Sequence, residues 1–311
     1  MAIGIGKWIA AAALALGHQG ESPTVSGALP AGVAEPASQT LGYGVDNTHR
    51  MVLPVNISGR GPLRFVVDTG AERTSISREL ASDLRLVQGT RAMVHSMSEV
   101  SRVQTYVIPA LMFGARQVNG IHAPAFSRSN LGADGMLGVD ALQSQRVLFD
   151  FAREEISIEP SRRRPRVRAR PDEIVVTARS RFGRLLLVDA SVEGQRVWAV
   201  LDTGSQVTVA NSRLQRILQR RGRIGGLIPI RLTSVTGGII TADYGVVGRM
   251  RVGGVAITSM PMAFADVHPF RQLDLLDRPA ILLGMDALKL FETVSVDFAN
   301  RQVHLRLREA A

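Results

Sequence analysis

Apolar residues fall on every second position along much of this chain. Met51, Leu53, Val55 and Ile57 alternate with other residues and predict a half-buried strand. Turn material follows at 58–62, and an apolar run at 65–67 predicts a second strand that ends on Asp68. Residues 78–84 have the pattern of a short helix, and 93–107 read as an extended hairpin with Ser96-Met97-Ser98-Glu99 near its tip. Two further runs, 147–151 and 156–158, predict a closing hairpin. The same order then recurs: strands at 185–192 and 197–201, the latter ending on Asp202, and a helix over 212–221. Runs at 228–232 and 239–244 flank a turn at Thr236-Gly237-Gly238. More strands follow over 250–267, with a closing hairpin at 294–296 and 303–307. Short strands dominate, so the fold class is all-β.

The recurrence extends to residue identity. Phe65-Val66-Val67-Asp68-Thr69-Gly70-Ala71 answers to Ala199-Val200-Leu201-Asp202-Thr203-Gly204-Ser205. Thr74 and Thr208 lie at equal distances past the two aspartates. Met136-Leu137-Gly138-Val139-Asp140-Ala141-Leu142 answers to Leu282-Leu283-Gly284-Met285-Asp286-Ala287-Leu288. Val147-Leu148-Phe149-Asp150 answers to Val294-Ser295-Val296-Asp297. Matched blocks in one order mean an internal duplication. The expected architecture is therefore two homologous, β-barrel-like lobes, residues 48–160 and 181–308, packed about a pseudo-twofold axis. A duplicated chain supplies both halves itself, so a monomer is expected.

The flanking segments read differently. Lys7, the apolar run 8–16 and Ala13-Leu14-Ala15 give residues 1–17 the features of a signal peptide or an uncleaved anchor. Export to the periplasm or the outside of the cell is the expectation. Residues 18–47 are rich in Gly, Pro, Ala and Ser and read as a flexible tether. Residues 161–180 read as a linker, with Arg162, Arg163, Arg164, Arg166, Arg168 and Arg170 interleaved with prolines. These arginines contribute much of the net charge of +10 and suit contact with an anionic membrane surface. The run has no aromatic residue on which a base could stack, so nucleic acid is not an expected partner.

With 311 residues, 45% of them hydrophobic, the chain can bury a sizeable core. It has no cysteine, which removes thiolate chemistry and disulfides. Its six histidines lack metal-ligand spacing. No metal site and no cofactor are expected.

The chemistry should lie where the axis brings equivalent turns together. Asp68 and Asp202 would then be neighbours. Two carboxyl groups in contact share a proton over a wide pH range and offer a base and an acid at once. That pair suits direct attack of water on an amide, without a covalent intermediate. Gly70 and Gly204 permit the tight turn, and Thr69 and Thr203 can hydrogen-bond across the axis. Ala71 and Ser205 complete the dyad support. The Ser205 hydroxyl is expected to donate to Asp202, biasing the shared charge towards that residue.

At these residues the chain resembles the pepsin-type and retropepsin-like aspartic proteases. The resemblance covers most of residues 50–308 and rests on the two Asp-Thr-Gly blocks and on the apolar-apolar-Gly blocks at Gly138 and Gly284. The Leu-Gly-x-Asp form is similar to that of bacterial retropepsin-like members. The resemblance implies an aspartic endopeptidase with Asp68 and Asp202 as catalytic residues. Its substrate would be an extended polypeptide, contacted by flaps at Ser96, Met97 and Ser98 and at Thr236, Gly237 and Gly238. Family flaps carry glycine; the second tip has it and the first does not. The alternative is a peptide-binding protein that keeps the fold and cleaves nothing. A glycosidase built on paired carboxylates fits less well, because its carboxyl groups stand farther apart.

Overall fold

The computed structural model describes residues 8–9, 39–45, 50–142, 145–161, 173–181, 184–187 and 189–307. It is a two-lobed, all-β molecule. In Met51–Ile57 the side chains of Met51, Leu53, Val55 and Ile57 enter the main core on one face, while on the other Val52 is buried and Pro54 faces solvent. The strand pairs with Arg60–Val67 on one side and with Thr105–Phe113 on the other, which curls the first lobe's eight-stranded sheet back on itself.

Each Asp-Thr-Gly turn is set by a parallel pairing buried on both faces. Arg60–Val67 runs beside Gly135–Leu137, with Val67 opposite Leu137. Trp198–Leu201 runs beside Ala280–Leu283, with Leu201 opposite Leu283. The pairing continues into the turns through Asp68 N–H to the Leu137 carbonyl at 3.0 Å and Asp202 N–H to the Leu283 carbonyl at 3.1 Å. The near-continuous apolar runs before each aspartate follow from this double burial.

Between the lobes lies a sheet in the order Gln39–Gly42, Glu155–Pro160, Gln145–Asp150, Phe291–Asp297, Gln302–Leu307, Glu173–Arg181. Its central register is self-complementary. Leu148 stands opposite its own counterpart Ser295, Val147 opposite Val296, and Phe149 opposite Val294. The pseudo-twofold axis therefore passes between Leu148 and Ser295. One apolar core runs through both lobes across this sheet, from Met51 and Phe149 to Val294 and Leu305.

Two outer strands fall in stretches read as connectors. Gln39–Gly42 lies within the expected tether and pairs with Glu155–Pro160. Glu173–Arg181 occupies most of the second half of the expected linker and pairs with Gln302–Leu307. In both places tertiary pairing prevails over local composition. The arginine run 162–170 lies outside the described residues. So does the segment read as a leader, except Trp8–Ile9, which runs parallel to Leu232 and Thr233. Among the described residues no helix is long and apolar enough to cross a membrane.

The expected helices form as Arg78–Asp83 and Ser212–Arg220. Ser77 caps the first by accepting from Leu80 N–H, and Asn211 caps the second by accepting from Leu214 N–H. Leu214 and Leu218, one helical turn apart, bury the inner face of the second.

Candidate active site

The two Asp-Thr-Gly turns meet on the axis. Asp68 is 0% exposed and Asp202 1%. Oδ1 of Asp68 accepts from the N–H groups of Gly70 at 2.8 Å and Ala71 at 3.0 Å. Oδ1 of Asp202 accepts from Gly204 and Ser205, both at 3.1 Å. Each turn thus aims two backbone donors at its own carboxyl group and holds its plane.

The glycines fix how closely the carboxyl groups approach. A Cβ on Gly70 would lie 2.8 Å from Cγ and Oδ1 of Asp202. A Cβ on Gly204 would come closer still, into the Asp68 carboxyl group. Each carboxyl therefore rests on the other lobe's glycine, and the pair faces itself across the axis.

Thr69 and Thr203 bind the turns to one another. Thr69 N–H donates to Thr203 Oγ1 at 3.0 Å, and Thr203 N–H donates to Thr69 Oγ1 at 3.3 Å. Each hydroxyl then donates onward, Thr69 to the Leu201 carbonyl at 3.2 Å and Thr203 to the Val67 carbonyl at 2.8 Å. The acceptors end the strands that deliver the opposite aspartates, so a shift of either lobe would break four buried bonds together.

Behind each turn sits a second, half-buried carboxyl group. Asp140 accepts from Thr74 N–H at 2.8 Å and Thr74 Oγ1 at 2.7 Å. Asp286 does the same with Thr208, at 2.9 and 2.6 Å. Each threonine hydroxyl also accepts from the glycine of the apolar-apolar-Gly block, Gly138 or Gly284, at 3.2 Å. A Cβ on Gly138 would lie 2.6 Å from the Arg73 carbonyl oxygen, and one on Gly284 2.6 Å from the Val207 carbonyl carbon, so glycine lets this block pass close behind the turn. Thr74 and Thr208 stood out in sequence by their equal spacing, and Asp140 and Asp286 by their Leu-Gly-x-Asp blocks, but not the pairing of one with the other.

Burial pushes the Asp140 carboxyl above its usual range and raises Asp286 to about 6; the threonine and backbone hydrogen bonds pull the other way without cancelling it. A raised carboxyl binds its proton more tightly in the folded protein. The stability it contributes is therefore complete below the unfolded value of 3.8 and is lost as pH rises through about 6. Asp286→Asn is expected to remove up to roughly 3 kcal/mol of pH dependence across this window. Urea titrations at several pH values between these limits would measure it, and an unchanged slope would contradict it.

The two hairpin tips meet each other across the lobes. Ser96-Met97-Ser98 and Ser234-Val235-Thr236 share one pattern, hydroxyl, apolar, hydroxyl, and one internal geometry. Ser96 and Ser98 hydroxyls lie 3.3 Å apart, and those of Ser234 and Thr236 3.1 Å apart. Ser96 N–H donates to the Glu99 carbonyl at 2.9 Å, and Ser234 N–H to the Gly238 carbonyl at 2.8 Å. Thr236 Oγ1 donates to Ser96 Oγ at 3.1 Å across the seam. Gly237, with φ of +91°, takes a left-handed conformation and passes close to Asn130 of the first lobe.

Compared with known families, the chain matches a model described as aspartyl protease twice, over residues 53–141 and 188–287. The two matches fall one in each lobe, each holds one Asp-Thr-Gly turn, and together they cover more than half of the chain. The chain belongs to the aspartyl protease family. No curated protein matches it.

In this aspartyl protease the first tip has no glycine because it has no left-handed turn to make; Ser96 closes it by accepting from Glu99 N–H at 3.2 Å and donating to the Glu99 carbonyl at 3.0 Å. The Ser-apolar-hydroxyl pattern common to both tips, rather than glycine, is the sequence signal of their shared geometry. The expectation for Ser205 is corrected. Its hydroxyl donates to the Val207 carbonyl at 2.8 Å, and the backbone donors on Asp202 Oδ1 match those on Asp68 Oδ1. Ser205→Ala should therefore leave the acidic limb of the protease's pH–rate profile in place and cost about 1 kcal/mol of stability. A limb that moves towards neutrality would restore the hydroxyl to the dyad.

Proposed function

We propose that this aspartyl protease is an endopeptidase that hydrolyses peptide bonds of extended polypeptides with Asp68 and Asp202 as its dyad. The observation that carries this reading is the pair of buried carboxyl groups, each resting on the other lobe's glycine and each held by two backbone donors. Two such groups share one proton. The ionised member takes a proton from water as its oxygen attacks the peptide carbon. The protonated member gives its proton to the carbonyl oxygen, and a tetrahedral diol forms. Collapse of the diol breaks the C–N bond, the nitrogen receives a proton from the dyad, and the shared proton is restored. The substrate lies between the lobes as an extended strand, with main-chain bonds to the hairpin tips.

The competing reading is a protein that captures peptides without cleaving them, and the tips closed on each other favour it. A peptide-library digest followed by mass spectrometry separates the two. Cleavage that a statine-type transition-state analogue blocks is the expected result. Intact peptides that nevertheless bind would support capture alone.

A further inference from the structure

The hairpin tips exchange side chains between lobes. Met97, from the first lobe, is 1% exposed and belongs to an apolar cluster whose other buried members, Val200 and Val207 among them, come from the second lobe. Val235, from the second lobe, is 0% exposed and belongs to a cluster whose other buried members, Val66 and Ala71 among them, come from the first. The two residues are equivalent in the repeat, so the exchange is reciprocal. The main chain secures it: His268 N–H donates to the Met97 carbonyl at 2.9 Å, and Gly238 has no room for a Cβ against Ser98 Oγ. The rings of His95 and His268 meet beside this seam, 4.9 Å apart.

Both clusters include residues of the segments that carry the two aspartates. Val66 and Ala71 bracket Asp68 in sequence, and Val200 and Val207 bracket Asp202. An extended peptide laid across the dyad directs successive side chains to opposite faces. Its two side chains next to the scissile bond would therefore point into the two spaces that Val235 and Met97 now fill.

We infer that Met97 and Val235 determine specificity by competition. Each fills the apolar pocket that a substrate side chain must enter, so a segment is cleaved only if it can displace both. This inference rests on the endopeptidase reading. A closed, self-filled cleft lowers apparent affinity by the fraction of molecules that are open. Emptying one pocket raises that fraction, because the closed state loses a buried apolar side chain.

Two measurements on the full chain test it. With a peptide cleaved in the library digest, Met97→Ser and Val235→Ser should each lower KM by about tenfold and change kcat by less than about twofold. Their preference for apolar over polar side chains beside the scissile bond should narrow. Met97→Leu, similar in volume, should restore the original KM. An unchanged or raised KM in the serine variants would overturn the competition. The second measurement needs no hydrolysis. Amide hydrogen exchange at residues 234–238 should quicken in Met97→Ser, and exchange at 95–99 should quicken in Val235→Ser. If each variant loosens only its own tip, the reciprocal interlock is wrong, even in a protein that cleaves peptides. If exchange behaves as expected and nothing is cleaved, the endopeptidase reading fails and the interlock stands. Should Met97→Ser fail to fold, Val235→Ser carries both measurements.

Discussion

Asp68→Asn and Asp202→Asn are each expected to yield a folded protein with almost no peptidase activity. The fold should survive because an asparagine side-chain oxygen can still accept the two backbone N–H groups that each carboxyl now holds. Activity should not, because an amide neither takes a proton from water nor gives one to a carbonyl oxygen. A positioned acid or base contributes about 10²–10⁴-fold, and each substitution also removes the shared proton, so a loss of roughly a thousandfold or more is expected in kcat. Circular dichroism and thermal melts would establish folding, and peptide turnover would establish the loss. Near-native turnover in either variant would show that one carboxyl suffices and that the shared-proton mechanism is wrong.

Gly204→Ala should be nearly as damaging by a different route. The new methyl group would overlap the Asp68 carboxyl, which has no long side chain to swing aside. Either the carboxyl turns out of plane or the lobes separate. Overpacking of this kind costs about 1–3 kcal/mol. A displacement near 1 Å at the reacting atoms costs on the order of a hundredfold in rate. Gly70→Ala has slightly more room, 2.8 Å to the Asp202 carboxyl, and should be the milder of the two. Melting temperature and kcat measured together would rank them. A Gly204→Ala protein as stable and active as its parent would mean that the carboxyl groups do not rest on the opposing glycines.

The parts of this molecule legible in sequence are those a local rule enforces. A strand buried on both faces has to read as an apolar run, and a turn that packs against a carboxyl has to contain glycine. Both signals occur twice at matching distances, which made the duplication and the lobes readable. The Asp-Thr-Gly turns could be singled out for the same reason. What could not be read depends on which segments the fold brings together. Asp140 and Asp286 look like ordinary residues opening a short helix, and only the fold brings them against Thr74 and Thr208. The sequence gives Ser205 a hydroxyl but not its acceptor, and the nearby Val207 carbonyl takes it. Glycine and proline around Gln39–Gly42, and arginine and proline before Glu173–Arg181, masked two strands that each pair with a strand over a hundred residues away.

The sheet on the pseudo-twofold axis also dictates when the site can exist. Its inner strands, Gln145–Asp150 and Phe291–Asp297, are separated by most of the second lobe. During synthesis the first lobe leaves the ribosome with one Asp-Thr-Gly turn and half a seam. Domains fold in the order they emerge, and pairings between distant segments form late. The second Asp-Thr-Gly turn can be translated and folded while the strand that aligns it with the first is still missing. A nascent chain therefore carries both carboxyl groups well before it can hold them together, and a site built from both lobes waits for Phe291–Asp297 to emerge and pair.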